Sequence, residues 1–222
     1  MRVIRSARRL AGDQAGAVLV EATILIPILF IFTLGAVDFL FAFYQWSAAS
    51  KAVEVGARLA AVSNPVANGL SGLGAFAVNT GLVSAEDKMP TYTVTCDGST
   101  ATCNCPETVC SGAGISYDPA AMQNIVYGRK GGTSCGNPGS YYFAGMCNFY
   151  PGLKLEDVKV VYKDTGLGFA GRPGGPIPTI TVSVQKLQFQ FFFLNALMGF
   201  VNIKIPPMTT TASGEVLSSA AQ

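Results

Sequence analysis

The chain predicts an α+β fold, in which a long N-terminal transmembrane helix continues into an external domain with a small antiparallel sheet and disulfide-tied loops. Three observations predict it. An apolar segment of membrane-spanning length follows a basic leader. Helical patterning continues beyond that segment to about residue 62. Alternating strand-like runs and six cysteines occupy only the part that follows. The expected organisation is a leader at 1–16, a helix and its external extension at 17–62, and an exported cysteine-containing domain at 63–222.

The leader carries Arg2, Arg5, Arg8 and Arg9 against Asp13, a net +3, so the remaining chain holds −1 of the overall +2. A near-neutral body is a poor footprint for nucleic acid, and none is expected as a partner. Between Ala17 and Tyr44 the only formal charges are Glu21 and Asp38. As a helix this stretch reaches about 42 Å at 1.5 Å per residue, against about 30 Å of bilayer hydrocarbon. The arginines hold their side in the cytoplasm by the positive-inside rule. Phe39, Phe41, Phe43, Tyr44 and Trp46 crowd the far end, where an interfacial aromatic belt belongs. The expected location is therefore the inner membrane, crossed once, with the body periplasmic or extracellular. Pro27 removes one helical amide donor. It predicts either a bend or a proline simply tolerated in a membrane helix.

Past the span, Ala48, Ala52, Val55, Leu59 and Val62 form an apolar stripe, opposed by Lys51, Glu54 and Arg58. Glu54 and Arg58 stand at i and i+4, the favourable order for a helical ion pair. Asn64-Pro65 ends the run.

Glu21 lies four residues into the apolar segment, where a carboxylate is costly. It reads either as a polar residue snorkelling to the membrane surface or as a residue with a task. Cleavage between Gly16 and Ala17 would remove the basic leader yet keep the hydrophobic helix. The new α-amino group would lie about one helical turn from Glu21. Pairing there, within one chain or between neighbours, lowers the cost of both charges and sets axial register. A rival cleavage site after a signal-type core is Ser47-Ala48-Ala49. Asp38 reads first as a headgroup-facing acid near the outer interface, with a contact to a partner helix as the sharper alternative.

Cys96, Cys103, Cys105, Cys110, Cys135 and Cys147 all follow the span. An even count in an exported region reads as disulfides, with fifteen possible pairings. A metal site is not expected, because the chain has no histidine and Cys103-Asn104-Cys105 lacks the usual ligand spacing. No cofactor is expected either. Strands are predicted at Thr91–Thr95, Val158–Tyr162, Thr179–Val184 and near Thr209–Val216, with a short helix at Pro119–Tyr127. The rest of 96–150 reads as loop, and the sheet is expected to pack against helix 48–62. The phenylalanine-rich run 187–201 has three readings: core, an interface with membrane or partner, or a second span, for which it is short. Gly166-Leu167-Gly168-Phe169-Ala170-Gly171 fits a dinucleotide pattern, but Arg172-Pro173 follows instead of a helix, so it reads as a flexible hairpin connection. Without histidine, serine–histidine and cysteine–histidine catalysis are excluded, and no enzyme is expected.

Several of these segments together resemble the TadE-like pseudopilins of tight-adherence (Flp) pilus systems, within the wider type IV pilin group. The resemblance is carried by Gly16-Ala17-Val18-Leu19-Val20-Glu21, the apolar helix with Pro27, Gly35-Ala36-Val37-Asp38-Phe39, and Val53-Glu54-Val55-Gly56-Ala57-Arg58. The tail from Ile203 to Val216 is similar to the family's terminal strand. The first 62 residues carry most of it, and the resemblance does not extend over about 65–175. The resemblance implies that Gly16–Ala17 is the bond cut by a prepilin peptidase and that Glu21 is the acid at mature position five. It also implies that the partners are other pilins and pseudopilins, and that the protein helps initiate or anchor an adhesive fibre. Two rivals are a membrane-anchored exported binding protein never built into a pilus, and a membrane-tethered enzyme using carboxylates alone.

Overall fold

A computed structural model describes residues 14–129, 134–135, 143–173, 175–189, 191–199, 203–204 and 206–214. Most of the leader, and the expected strand end at 215–216, lie outside the described residues.

Helix α1 runs unbroken from Gln14 to Ala61, through Pro27. Two hydroxyls within its apolar part bond back to the helix. Thr23 Oγ1 donates to the Val20 carbonyl at 2.7 Å, and Thr33 Oγ1 to the Leu29 carbonyl at 2.9 Å. Such back-bonding leaves no hydroxyl in need of water, which suits a helix in lipid. The other helices are α2 (Leu73–Asn79), α3 (Pro119–Tyr127), α4 (Met146–Phe149) and α5 (Phe193–Met198). The sheet strands are β1 (Thr93–Asp97), β2 (Thr102–Asn104), β3 (Val158–Asp164), β4 (Pro178–Val184) and β5 (Met208–Ser213). Their order is β5-β4-β3-β1-β2, antiparallel throughout.

The chain forms two compact units. The first comprises residues 1–44 with 189–203, and the second residues 45–188 with 204–222. The second unit holds the sheet. Register places Val94 opposite Tyr162, Cys96 opposite Val160, Tyr162 opposite Ile180 and Val160 opposite Val182. All of these are buried, so one face of the sheet is continuous core, as period-2 alternation requires. The same core takes in Ala49, Ala52, Val53, Ala57 and Ala60 of α1. Ala52 and Leu59 of the expected stripe are buried there too, but the buried face is shifted round the helix to include Ala49, Val53, Ala57 and Ala60. Small residues face the body, while Val62 is exposed and Val55 only half-buried. The reason is close approach: a Cβ at Gly56 would lie 2.5 Å from the Met146 sulfur. Helix α4 therefore selects the small face of α1.

Strand β1 begins two residues later than expected, and the 96–150 region is less loop-like than its composition suggests. It contains β2, a 3-10 turn at Thr108–Cys110, α3 and α4. Helix α3 starts where Asp118 accepts hydrogen bonds from the Ala120 and Ala121 amides, with Pro119 in the first turn. Three disulfides tie the region: Cys96–Cys103 across β1 and β2, Cys105–Cys110, and Cys135–Cys147. These are short closures, and none reaches a distant strand, so long-range order comes from the apolar core.

One polar contact locks the chain after α1 to that core. The Tyr162 hydroxyl, fully buried, accepts a hydrogen bond from the Val66 amide at 2.9 Å. Burial raises the phenol pKa of both Tyr162 and Tyr92 above its ordinary value. A raised phenol contributes stability that is complete below its unfolded pKa, about 10, and is lost as pH rises through the folded value. Alkaline titration followed at 295 nm should show these two tyrosines ionising only together with unfolding above pH ~10. Tyr162→Phe leaves the Val66 amide unpaired and should lower stability by about 1–3 kcal/mol in denaturant unfolding of the solubilised chain.

Candidate functional site

Nearly every large apolar side chain from Val18 to Tyr44 is exposed, Phe32 and Phe43 by more than 70%. The most apolar 18-residue window of α1 has a mean hydropathy of 2.5 and is wholly uncovered by the rest of the protein. In water such a surface is prohibitive, whereas in a bilayer it is matched to its solvent. This surface, with the acids set into it, is the candidate functional site.

Gly16 and Ala17 lie in the first turns of α1, both exposed. A Cβ at Gly16 would meet nothing within 4 Å. Helical glycine is about 1 kcal/mol worse than alanine, and here no packing compensates for it. The fold therefore gives no reason for a glycine at this position. Glu21 is exposed, and among the described residues it takes part in no ion pair. It is the one charge between Ala17 and Val37. Along the helix it stands about 6 Å from Ala17.

Asp38 behaves differently from a headgroup-facing acid. It is 2% exposed, and its two carboxyl oxygens accept hydrogen bonds from the Phe192 amide at 3.3 Å and the Phe193 amide at 2.9 Å. These are donors at the start of α5, which lack partners within their own helix. The ring of Phe39 meets Phe191 edge-on at 5.8 Å, and Phe41 lies 5.5 Å from Phe192. The helix that Asp38 contacts thus belongs to its own chain, more than 150 positions away. Sequence reasoning missed this pairing. The only available signal was an intramembrane acid together with a distant, uncharged phenylalanine run.

Further along α1, Glu54 joins Lys51 at 2.9 Å and Arg58 at 2.5 Å. These pairs are well exposed, so water and salt screen them and they add little to stability. On the same stretch Val55, Arg58, Leu59 and Val62 line an apolar groove of about 780 Å3 with Phe149 and Ala212. The groove had no signature in the sequence, since its walls come from three separate segments.

The cysteines offer no ligand set. Cys105, Glu107 and Cys110 bring their ligand atoms within 4.8 Å of one another, but Cys105 and Cys110 are bonded to each other and supply no thiolate. The glycine string at 166–171 lies in the connection between β3 and β4. Among the described residues a strand, not a helix, follows it, and the Ala170 amide donates to the Asp87 carbonyl at 2.8 Å, so the loop is tied to the 86–88 segment. Phosphate binding of the dinucleotide type needs a helix N-terminus there.

A family model described as TadE-like protein matches residues 16–58. No curated protein and no solved structure matches the chain. The matched range starts at Gly16 and ends at Arg58, so it takes in the bare helix, Glu21, Asp38 and the Glu54 ion pairs. The cysteine-rich body lies outside it. Over residues 16–58, the apolar part of its long helix and the start of the packed part, the chain is similar to the TadE-like family.

Proposed function

We propose that the chain is the precursor of a minor pseudopilin, cut after Gly16 by a prepilin peptidase and built into a tight-adherence pilus machine that serves surface adhesion. It has no catalytic role. It is held in the inner membrane by α1, with the leader cytoplasmic and the body outside, until it joins other pilins and pseudopilins.

The observation that carries this reading is Glu21. Its carboxyl stands exposed on a helix surface otherwise free of charge from Ala17 to Val37. Before cleavage it has no cation beside it among the described residues. After cleavage the Ala17 α-amino group supplies one, in the same chain or in a neighbour. A buried pair stripped of one partner is strongly unfavourable, so a subunit seated one step out of register would be rejected. Gly16 supports the same reading, because the helix would be better off with alanine there and the fold does not ask for glycine. A protease subsite that accepts only the smallest residue accounts for it. The match over residues 16–58 supplies the pilus context.

Mass spectrometry of the mature protein should find an N-terminus at Ala17, with the leader retained in Gly16→Ala. A start at Ser50, or an intact leader in the native chain, would contradict the proposal. Glu21→Ala should be cleaved and inserted normally but recovered with pilus components at least tenfold less often in affinity purification. Undiminished recovery would remove the assembly role assigned to Glu21.

A further inference from the structure

The segment after β4 returns to the first unit and ends against the outer part of α1. There it leaves Phe192 58% and Phe193 44% exposed, so neither ring is core. A second span is excluded by length: the six residues of α5 cover about 9 Å. We propose that residues 191–199 are an interfacial lipid anchor, which seats Phe192 and Phe193 at the acyl–headgroup boundary of the periplasm-facing phospholipid leaflet, with Asp38 as its positioning residue. The proposal rests on α1 spanning the membrane and is independent of cleavage at Gly16.

Three observations carry it. The first is depth. Asp38 lies 21 positions beyond Ala17, about 32 Å along the helix, which matches the ~30 Å hydrocarbon thickness. The ring contacts of Phe39 and Phe41 hold Phe191 and Phe192 at that level, where the exposed Phe39, Phe43 and Tyr44 of α1 also stand. The lipid contact of the span therefore continues onto this segment.

The second is polar satisfaction. At this depth an unpaired backbone donor is costly, and a short helix begins with several. Asp38 takes the Phe192 and Phe193 amides, and at the other end the Gly199 amide donates to the Asn195 carbonyl at 2.9 Å. Gly199 closes the turn at φ 66°, a left-handed conformation that favours glycine. The third is charge. Residues 189–202 contain no Asp, Glu, Lys or Arg. An uncharged segment with two outward phenyl rings suits the acyl boundary rather than a water-facing surface. The device also explains why an acid stands at the end of the span: its cost is offset by two amides that would otherwise be unpaired.

The test uses the full chain in vesicles of phosphatidylethanolamine and phosphatidylglycerol. Trp46→Phe removes the only tryptophan, and a single tryptophan is placed by Phe193→Trp or, as a reference for the span, by Ile28→Trp. Lipids brominated near the headgroup end of the acyl chain should quench the Phe193→Trp emission at least twofold, and aqueous iodide should not. Lipids brominated deep in the chain should quench Ile28→Trp. Adding Asp38→Ala to Phe193→Trp should reverse its preference, from bromolipid to iodide. Quenching of Phe193→Trp by iodide alone, with Ile28→Trp still lipid-quenched, would overturn the anchor and leave the span intact. Quenching by neither agent would mean a protein cover, such as a second copy, and would overturn it too. Failure of lipid to reach Ile28→Trp would remove the span and the anchor together. An Asp38→Ala variant that stays bromolipid-quenched would overturn the positioning role.

Discussion

One helix has to satisfy two solvents. From its first turns to Tyr44 its large apolar side chains are bare, and from Ala49 onward its small residues are sealed into a protein core. The rest of the structure depends on that change of environment along a single helix. A helix closes its backbone hydrogen bonds within itself and so can pass from lipid to protein without leaving donors or acceptors unpaired. The side chains then carry the change. Large aliphatic and aromatic residues stay uncovered, as a lipid-facing surface requires, and Ala49, Ala52, Gly56 and Ala60 permit close approach of the body.

The two acids of the apolar stretch answer the same constraint in different ways. Asp38 is buried and its oxygens are occupied by amides of α5, so its cost is met inside the chain. Glu21 is exposed and has no ion pair among the described residues, and in the proposed reading its partner is the amine freed at Ala17. Similar residues on one helix thus read as structural in one case and as directed outward in the other. Their surroundings, not their chemistry, make the difference.

The sequence made some of this legible and hid the rest for physical reasons. Long apolar length, the leader charge and the 158–162 and 179–184 alternation are local signals, and the structure has a helix and strands there. Helix α3 was legible because its cap, Asp118-Pro119, is written in adjacent residues. The rotated stripe on α1 was not, because it depends on Met146 arriving from ninety positions away. The bond from Val66 to Tyr162 and the seat of Asp38 are non-local in the same way. The six cysteines suggested disulfides through their even number and their place after the span, but fifteen pairings were open. The pairs found are near neighbours in sequence, so they staple local turns and leave the topology to the core.

On this reading α1 lies in lipid over its bare half and emerges on the outer side before its packed half. Cysteine labelling in spheroplasts tests it most directly, with an impermeant maleimide applied to Phe30→Cys and Ser50→Cys, two exposed positions on the same helix. Ser50→Cys should react at once and Phe30→Cys only after detergent dissolves the membrane. Equal reactivity at the two positions, or protection of Ser50→Cys until the membrane is broken, would contradict it.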